Sequence, residues 1–163
     1  MKKLASGSTS LEQEGSLDID DWLKSRRDVR AIGPLQVKLR ARGRADGMTV
    51  ECDCSVQLEF VCSKCLTTFV RPLEFSFREE FTNKPEAANE EGEIFYVPED
   101  TVDLLPYIEE NLQLALPFVA VCRPDCKGLC PVCGSNRNET DCGCKEENTD
   151  PRLAALKDFF EKQ

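Results

Sequence analysis

Val50-Glu51-Cys52-Asp53-Cys54-Ser55-Val56-Gln57-Leu58-Glu59-Phe60-Val61-Cys62-Ser63-Lys64-Cys65 alternates apolar and polar side chains, then closes on a Cys-x-x-Cys pair. A period of two sustained over such a length belongs to a strand with one buried face. Val50, Cys52, Cys54, Val56, Leu58 and Phe60 share the inward face, and Glu51, Asp53, Ser55, Gln57 and Glu59 the outward one. Cys52 and Cys54 are thus in register with aliphatic neighbours and read as small buried hydrophobes rather than ligands.

Working outward, Leu35, Val37, Leu39 and Ala41 alternate with Gln36, Lys38, Arg40 and Arg42, and Ala45-Asp46-Gly47 supplies a turn into the central strand. On the other side, Phe69, Leu73, Phe75, Phe77 and Phe81 hold alternate positions, interrupted at Arg71 and Glu79. This predicts a third strand, antiparallel to the second, with Cys62 and Cys65 at the hairpin tip. Pro72 marks an edge or a bulge. Residues 18–27 predict a short helix, broken by Gly33-Pro34; residues 83–92 predict an acidic loop and residues 93–97 a short strand. Asp103 can cap a helix with an apolar stripe of Leu104, Leu105, Ile108, Leu112, Ala115 and Leu116. Pro106 is tolerated there in the first turn, and Pro117 ends the run. Asp150-Pro151 predicts a last helix docking through Leu153, Leu156, Phe159 and Phe160. The expected fold is α+β: an antiparallel sheet, one packed helix and a C-terminal zinc-binding module. The expected divisions are a flexible N-terminus over 1–16, a core over 17–121 and a cysteine-rich module with its helix over 122–163.

The chain holds ten cysteines and no histidine in 163 residues. Eight cysteines have metal-ligand spacing: Cys62-x2-Cys65, then Cys122-x3-Cys126-x3-Cys130-x2-Cys133-x8-Cys142-x-Cys144. A two-residue gap lets both sulfurs face one tetrahedral ion. Cys130-Pro131-Val132-Cys133-Gly134 is a knuckle in which glycine takes the tight turn behind the second sulfur. With Cys142 and Cys144 it forms a closed four-sulfur set, structural rather than catalytic because no position remains for water. Cys62 and Cys65 then take Cys122 and Cys126, giving two zinc ions in all. Other registers stay open, with Cys126 replacing Cys130 or Cys142, or with a carboxylate or methionine completing a set. A disulfide framework suits secreted domains. The N-terminus has no apolar stretch of signal-peptide length, and no run is long enough for a membrane span, so a cytoplasmic protein with reduced thiols is expected. An iron–sulfur centre, a thiol redox sensor or a dithiol oxidoreductase at Cys62 and Cys65 are the rival readings.

Net charge is −9 and uneven: residues 24–44 hold eight bases and one acid, while residues 85–121 hold nine acids and no base. Lys38, Arg40, Arg42 and Arg44 project from one strand face at about 6.6 Å intervals, compatible with backbone phosphates, and Arg26, Arg27 and Arg30 precede them. The competing expectation is a solvated face paired with Glu51, Asp53 and Glu59. The acidic stretch could instead dock a basic protein. There is no histidine, no Gly-x-Ser-x-Gly elbow and no phosphate-cradling glycine loop, so a non-enzyme without a small-molecule substrate is expected.

Leu35-Gln36-Val37-Lys38-Leu39, Cys62-Ser63-Lys64-Cys65-Leu66, Asp103-Leu104-Leu105 through Ala115-Leu116-Pro117, and Cys126-Lys127-Gly128-Leu129-Cys130-Pro131-Val132-Cys133-Gly134 together resemble the YceD family. These are the large ribosomal RNA subunit accumulation proteins, in the bacterial and plastid form with a cysteine-rich tail. The likeness runs from about Leu17 to Phe160. It implies a non-catalytic accessory role in synthesis, processing or stability of 23S-type ribosomal RNA and in ribosome assembly. The implied partners are that RNA or a large-subunit precursor, and the eight cysteines carry over as candidate zinc ligands. It says nothing of RNA contacts.

Overall fold

The computed structural model describes residues 10–88, 94–98 and 101–144. The expected last helix lies outside the described residues. The chain orders as β1 (Ser10–Leu17), α1 (Asp20–Leu23), β2 (Val29–Ala31), β3 (Leu35–Arg44), β4 (Gly47–Val61), β5 (Thr68–Thr82), a single 3-10 turn (Pro85–Ala87), β6 (Ile94–Tyr96) and α2 (Leu105–Ala115). One open sheet runs β1-β3-β4-β5-β6, and β2 pairs with the far end of β4 beyond β3.

β4 is the spine, and its alternation is the one written in the sequence: Val50, Cys52, Cys54, Val56, Leu58 and Phe60 are all buried. They pack with Leu35, Val37 and Ala41 of β3, with Ile108 and Leu112 of α2 and with Leu116 just after it. The Asp103 carboxylate accepts from Leu105 N at 3.1 Å, and Pro106 occupies the first turn of α2. Leu105 leaves the expected stripe and is 46% exposed, lining an open apolar groove of about 480 Å³ with Leu11, Leu39, Met48, Val102 and Leu104.

Registry explains the two charged interruptions on the core face of β5. Arg71 lies opposite Leu58, and Glu79 opposite Val50. The Arg71 guanidinium lies 5.1 Å from the Phe69 ring centre and donates to Val121 O at 2.9 Å, so it ties the segment after α2 to the sheet. Glu79 faces α2, where burial and then Glu110 raise its carboxyl above the ordinary range. Pro72 is tolerated because β6 covers only Glu80–Thr82, leaving the outer side of β5 without a strand neighbour at Pro72 among the described residues.

Two expectations need correction. The N-terminus is not loose throughout: Ser10–Leu17 pairs residue for residue with Leu35–Arg42. Its weak alternation conceals a strand whose Leu11 and Leu17 are only partly buried and whose stability comes from the β3 edge. The sheet is also mixed rather than purely antiparallel, because β6 runs parallel to β5. The connection through the 3-10 turn returns the chain along β5 in the same direction, which no local pattern encodes.

Thr49 is 5% exposed, and its hydroxyl finds no partner among the described residues. A buried unsatisfied hydroxyl costs about 1–3 kcal/mol. Thr49→Val keeps the β-branched shape and is expected to stabilise by about 1 kcal/mol, read as a higher urea midpoint with unchanged slope. A lower midpoint would show that the hydroxyl is satisfied in solution.

Candidate metal centres

The tip of the β4–β5 hairpin is a knuckle built by the chain itself. Leu66 N donates to Cys62 O at 2.9 Å and Cys62 N to Thr67 O at 2.9 Å. The tail repeats the device, with Gly134 N donating to Cys130 O at 2.8 Å. Gly134 has φ +73°, and its counterpart Leu66 has φ 60°. Left-handed backbone is cheap for glycine and costs a leucine roughly 1–2 kcal/mol. Leu66 holds it while 62% exposed.

The segment after α2 folds over this tip. Ser63 N donates to Ala120 O at 2.8 Å, and Leu129 N to Lys64 O at 2.9 Å. These bonds bring Cys122 and Cys126 to Cys62 and Cys65. Cys130, Cys133, Cys142 and Cys144 form a second group, and within each group all sulfurs lie within 4.8 Å of one another. The structure therefore makes the pairing of foursomes that the spacing favours over the other registers. Cys52 and Cys54 stay in the sheet core, apart from both groups.

Sulfur spacing tests the fit to an ion. A tetrahedron with Zn–S bonds of about 2.3 Å has sulfurs about 3.8 Å apart. Cys62 Sγ is 3.9 Å from Cys126 Sγ, and Cys65 Sγ is 3.7 Å from Cys122 Sγ. Either contact could be written as a weak S–H hydrogen bond, but two pairs at this distance, with all four sulfurs within 4.8 Å of one another, fit a tetrahedral ion. Hydrogen bonds to sulfur complete it: Cys122 N reaches Cys62 Sγ at 3.4 Å, and Asn138 Nδ2 reaches Cys126 Sγ at 3.4 Å. Thr67 and Ser135 place hydroxyls 2.9 Å from Cys65 Sγ and 3.1 Å from Cys133 Sγ. The two groups could hold metal ions, and an all-thiolate donor set is compatible with zinc.

Electrostatics point the same way. Burial opposes ionisation of Cys62, yet the N–H groups of Cys122, Cys65 and Lys64 bring it down to about 6. Burial and the neighbouring sulfurs of Cys62, Cys126 and Cys65 push Cys122 up to about 12. In the tail, the Ser135 hydroxyl and N–H hold Cys133 at about 6, while Cys133 and Cys142 push Cys144 up to about 12. Without a cation, the first thiolates in each group suppress ionisation of the others. A divalent ion removes that conflict.

Cys52 and Cys54 have no such help, and burial pushes them up to about 12 and about 11. In metal-free, reduced protein at neutral pH, iodoacetamide is expected to modify the tail cysteines, Cys133 among them, and to leave Cys52 and Cys54 intact until the sheet unfolds. Peptide mass mapping reads the order. Early alkylation of Cys52 would contradict the buried assignment.

Of the seven basic residues, Arg30, Lys38, Arg40, Arg42 and Arg44 share one face of the sheet but are spread along it. Arg30 lies opposite Glu59 of β4 and Arg44 opposite Gly47, about 40 Å apart along the strand. Lys38 pairs with Glu14 at 3.0 Å, Arg40 with Asp53 at 2.5 Å, Arg44 with Glu80 at 2.8 Å, Arg30 with Glu59 at 2.7 Å and Arg26 with Asp28 at 2.7 Å. Among the described residues only Arg27 and Arg42 of the seven form no ion pair. Cross-strand neutralisation, half expected from the acidic face of β4, is what the register produces; Glu14 and Glu80 as partners required β1 and β5 to be placed. Asn138, Thr67 and Ser135 escaped the sequence reading altogether, because small polar residues in loops carry no ligand signature. No helix among the described residues is long and apolar enough to cross a membrane.

The comparisons with known proteins add lineage to this geometry. The chain is 27% identical over 154 residues to the uncharacterized protein YlbN of Bacillus subtilis, covering 94% of this chain and 90% of that one. It is 34% identical over 125 residues to the uncharacterized protein Rv2926c of Mycobacterium tuberculosis, covering 75% of this chain and 60% of the relative's length. A chloroplastic protein of Zea mays, named large ribosomal RNA subunit accumulation protein YCED homolog 1, is 39% identical over 67 residues, or 40% of this chain and 22% of that one. No solved structure matches significantly. The model of the family described as large ribosomal RNA subunit accumulation protein YceD matches residues 50–160, a span that begins at β4 and holds all ten cysteines, and the chain belongs to that family.

Proposed function

We propose that this chain is a cytoplasmic, non-catalytic factor that supports accumulation of large-subunit ribosomal RNA by binding a basic ribosomal protein. Its two four-cysteine centres would hold structural zinc that braces the binding end. The family supports the ribosomal setting. Closed four-sulfur shells, with no position for water or substrate, support a role in binding rather than catalysis.

The observation that carries the choice of partner is the surface of α2 and the turn after it. Leu114 is 76% exposed, and Phe118 is 98% exposed. They follow Glu109 and Glu110, which are exposed, in a stretch from 85 to 121 without one basic residue. Burying a phenylalanine against a partner is worth roughly 1.5–3 kcal/mol, and the acidic surroundings favour a cationic protein segment over a phosphate backbone. The paired strand cations weaken the RNA alternative, since a phosphate contact to Lys38, Arg40 or Arg44 would first have to displace a carboxylate.

Co-sedimentation with large-subunit precursor particles, with crosslink mapping, tests the choice. Leu114→Ser with Phe118→Ser is expected to release the chain from the particles without lowering its melting temperature, because both side chains are exposed. Charge reversal at Lys38, Arg40 and Arg42 is expected to leave it bound. The opposite pattern, with crosslinks to RNA along β3, would replace the protein partner with RNA.

A further inference from the structure

We infer that Asn138 couples the two four-sulfur centres, so that closing the tail centre around an ion tightens the hairpin-tip centre; this rests on the metal reading above. By sequence Asn138 belongs to the tail centre, since it lies in the loop between Cys133 and Cys142. By contact it belongs to the other. Its Nδ2 donates to Cys126 Sγ at 3.4 Å and to Asn136 Oδ1 at 2.8 Å. Its Oδ1 accepts from Lys127 N and from Arg123 Nη2, each at 2.9 Å.

All four hydrogen-bonding places of the amide are therefore filled. They also fix its orientation, because turning it over would set the NH2 group against two N–H donors and withdraw the donor from the sulfur. An N–H aimed at a ligating thiolate stabilises its charge, and loss of such a contact typically weakens metal binding 10–100-fold. The same side chain spans residues 123, 126 and 127, so it also fixes the loop that presents Cys122 and Cys126.

What places Asn138 is the tail loop. That loop turns about Asn136, whose O accepts from Glu139 N at 3.1 Å and Thr140 N at 3.0 Å, whose Nδ2 donates to Glu139 Oε1 at 2.7 Å and whose Oδ1 accepts from Asn138 N at 3.1 Å; it meets the preceding segment through the Leu129–Asn136 bridge, Cys130 N to Ser135 O at 2.8 Å and Arg137 N to Gly128 O at 3.0 Å. The buried cluster at this end holds Cys62, Cys65 and Cys126 with Phe69, Val121 and Cys122, and nothing from residues 134–141. With no buried apolar side chain of its own, the loop would be further fixed when its two ends, Cys133 and Cys142, are held by one ion. With the tail open, Cys126 loses its donor; with the tail closed, Cys126 is a better ligand. Linkage makes the effect mutual, so an ion at the hairpin tip also favours the tail.

The test uses the full chain, reduced and metal-free, given one equivalent of Zn²⁺ and examined by native mass spectrometry and by alkylation mapping. Wild-type protein is expected to divide mainly between metal-free and two-zinc forms. Asn138→Ala is expected to accumulate a one-zinc form protected at Cys130, Cys133, Cys142 and Cys144 but reactive at Cys62 and Cys65. Its hairpin-tip affinity, measured by chelator competition, should be about 10-fold weaker. Asn138→Asp keeps the acceptor bonds to Lys127 and Arg123 but removes the donor, and is expected to weaken the tip at least as much. Recovery of tip affinity in Asn138→Asp would assign the effect to loop pinning and overturn donation to sulfur. Cys142→Ser with Cys144→Ser, which disables the tail centre, should weaken the tip by a similar factor even if the Asn138 variants fold poorly. Unchanged tip affinity in that variant, or a statistical zinc distribution in the wild type, overturns the coupling. Two zinc ions bound without cooperativity would still leave the metal reading standing, whereas no zinc uptake at all would remove both.

Discussion

Removing metal from both centres with a strong chelator under reducing conditions is expected to unfold residues 122–144 while β3, β4 and β5 stay folded. Hydrogen exchange should show loss of protection across the tail and the hairpin tip, and calorimetry a separate low-temperature transition. The reason is the distribution of buried apolar surface. The sheet core draws on seventeen buried residues from α1, β2–β5, α2 and their flanks. Among the described residues the tail buries chiefly its own candidate ligands, Cys126 and Cys130, and its regular backbone pairing is one bridge between Leu129 and Asn136. A structural zinc ion can supply on the order of 10 kcal/mol of apparent folding free energy, far more than such a segment gains from burial. Re-adding Zn²⁺ should restore protection. A chelated protein with unchanged exchange in the tail would mean that the sulfur groups are not metal centres.

The second large effect is expected from Gly47→Ala, at a position without any chemistry. Gly47 closes the β3–β4 turn opposite Arg44 and also faces Thr82 at the end of β5. A Cβ there would lie 1.9 Å from Phe81 O and 2.9 Å from Phe81 C. Both are backbone atoms, so no rotamer change relieves the overlap; β4 and β5 must part, or the turn must move. The neighbouring bond from Thr82 Oγ1 to Asp46 O, at 2.8 Å, would be strained with it. A loss of about 3 kcal/mol is expected, at the upper end for overpacking, read as a lower urea midpoint. Gly15→Ala is the control: a Cβ at Gly15 meets nothing within 4 Å, so its midpoint should move by no more than about 0.5 kcal/mol equivalent. Equal midpoints for the two variants would remove the steric argument.

Particular residues show how far local pattern reaches. The inward set of β4 was readable from Val50 to Phe60 because burial on one face of a strand repeats every two residues. The α2 stripe was readable through Ile108, Leu112 and Leu116, and failed at Leu105, where the turn of the helix faces an open groove. β1 was missed because Ser10-Leu11-Glu12-Gln13-Glu14-Gly15-Ser16-Leu17 is a polar edge strand held by pairing rather than by propensity. The parallel placement of β6 was missed because three residues cannot specify a direction.

The amino-acid order alone determined which atoms can bind metal here. Cysteine spacing of two and three residues is a short-range property, set by how far a few peptide units can reach. It determined the spine of the sheet for the same reason. Only the tertiary structure decided what those features do together. It joined Cys122 and Cys126 to a hairpin tip some sixty residues away, set β3 cations against carboxylates from β1, β4 and β5, and turned Asn138 from one centre toward a sulfur of the other. Those contacts depend on strand register and on chain return, which are fixed by global packing and leave no trace in a local window of sequence.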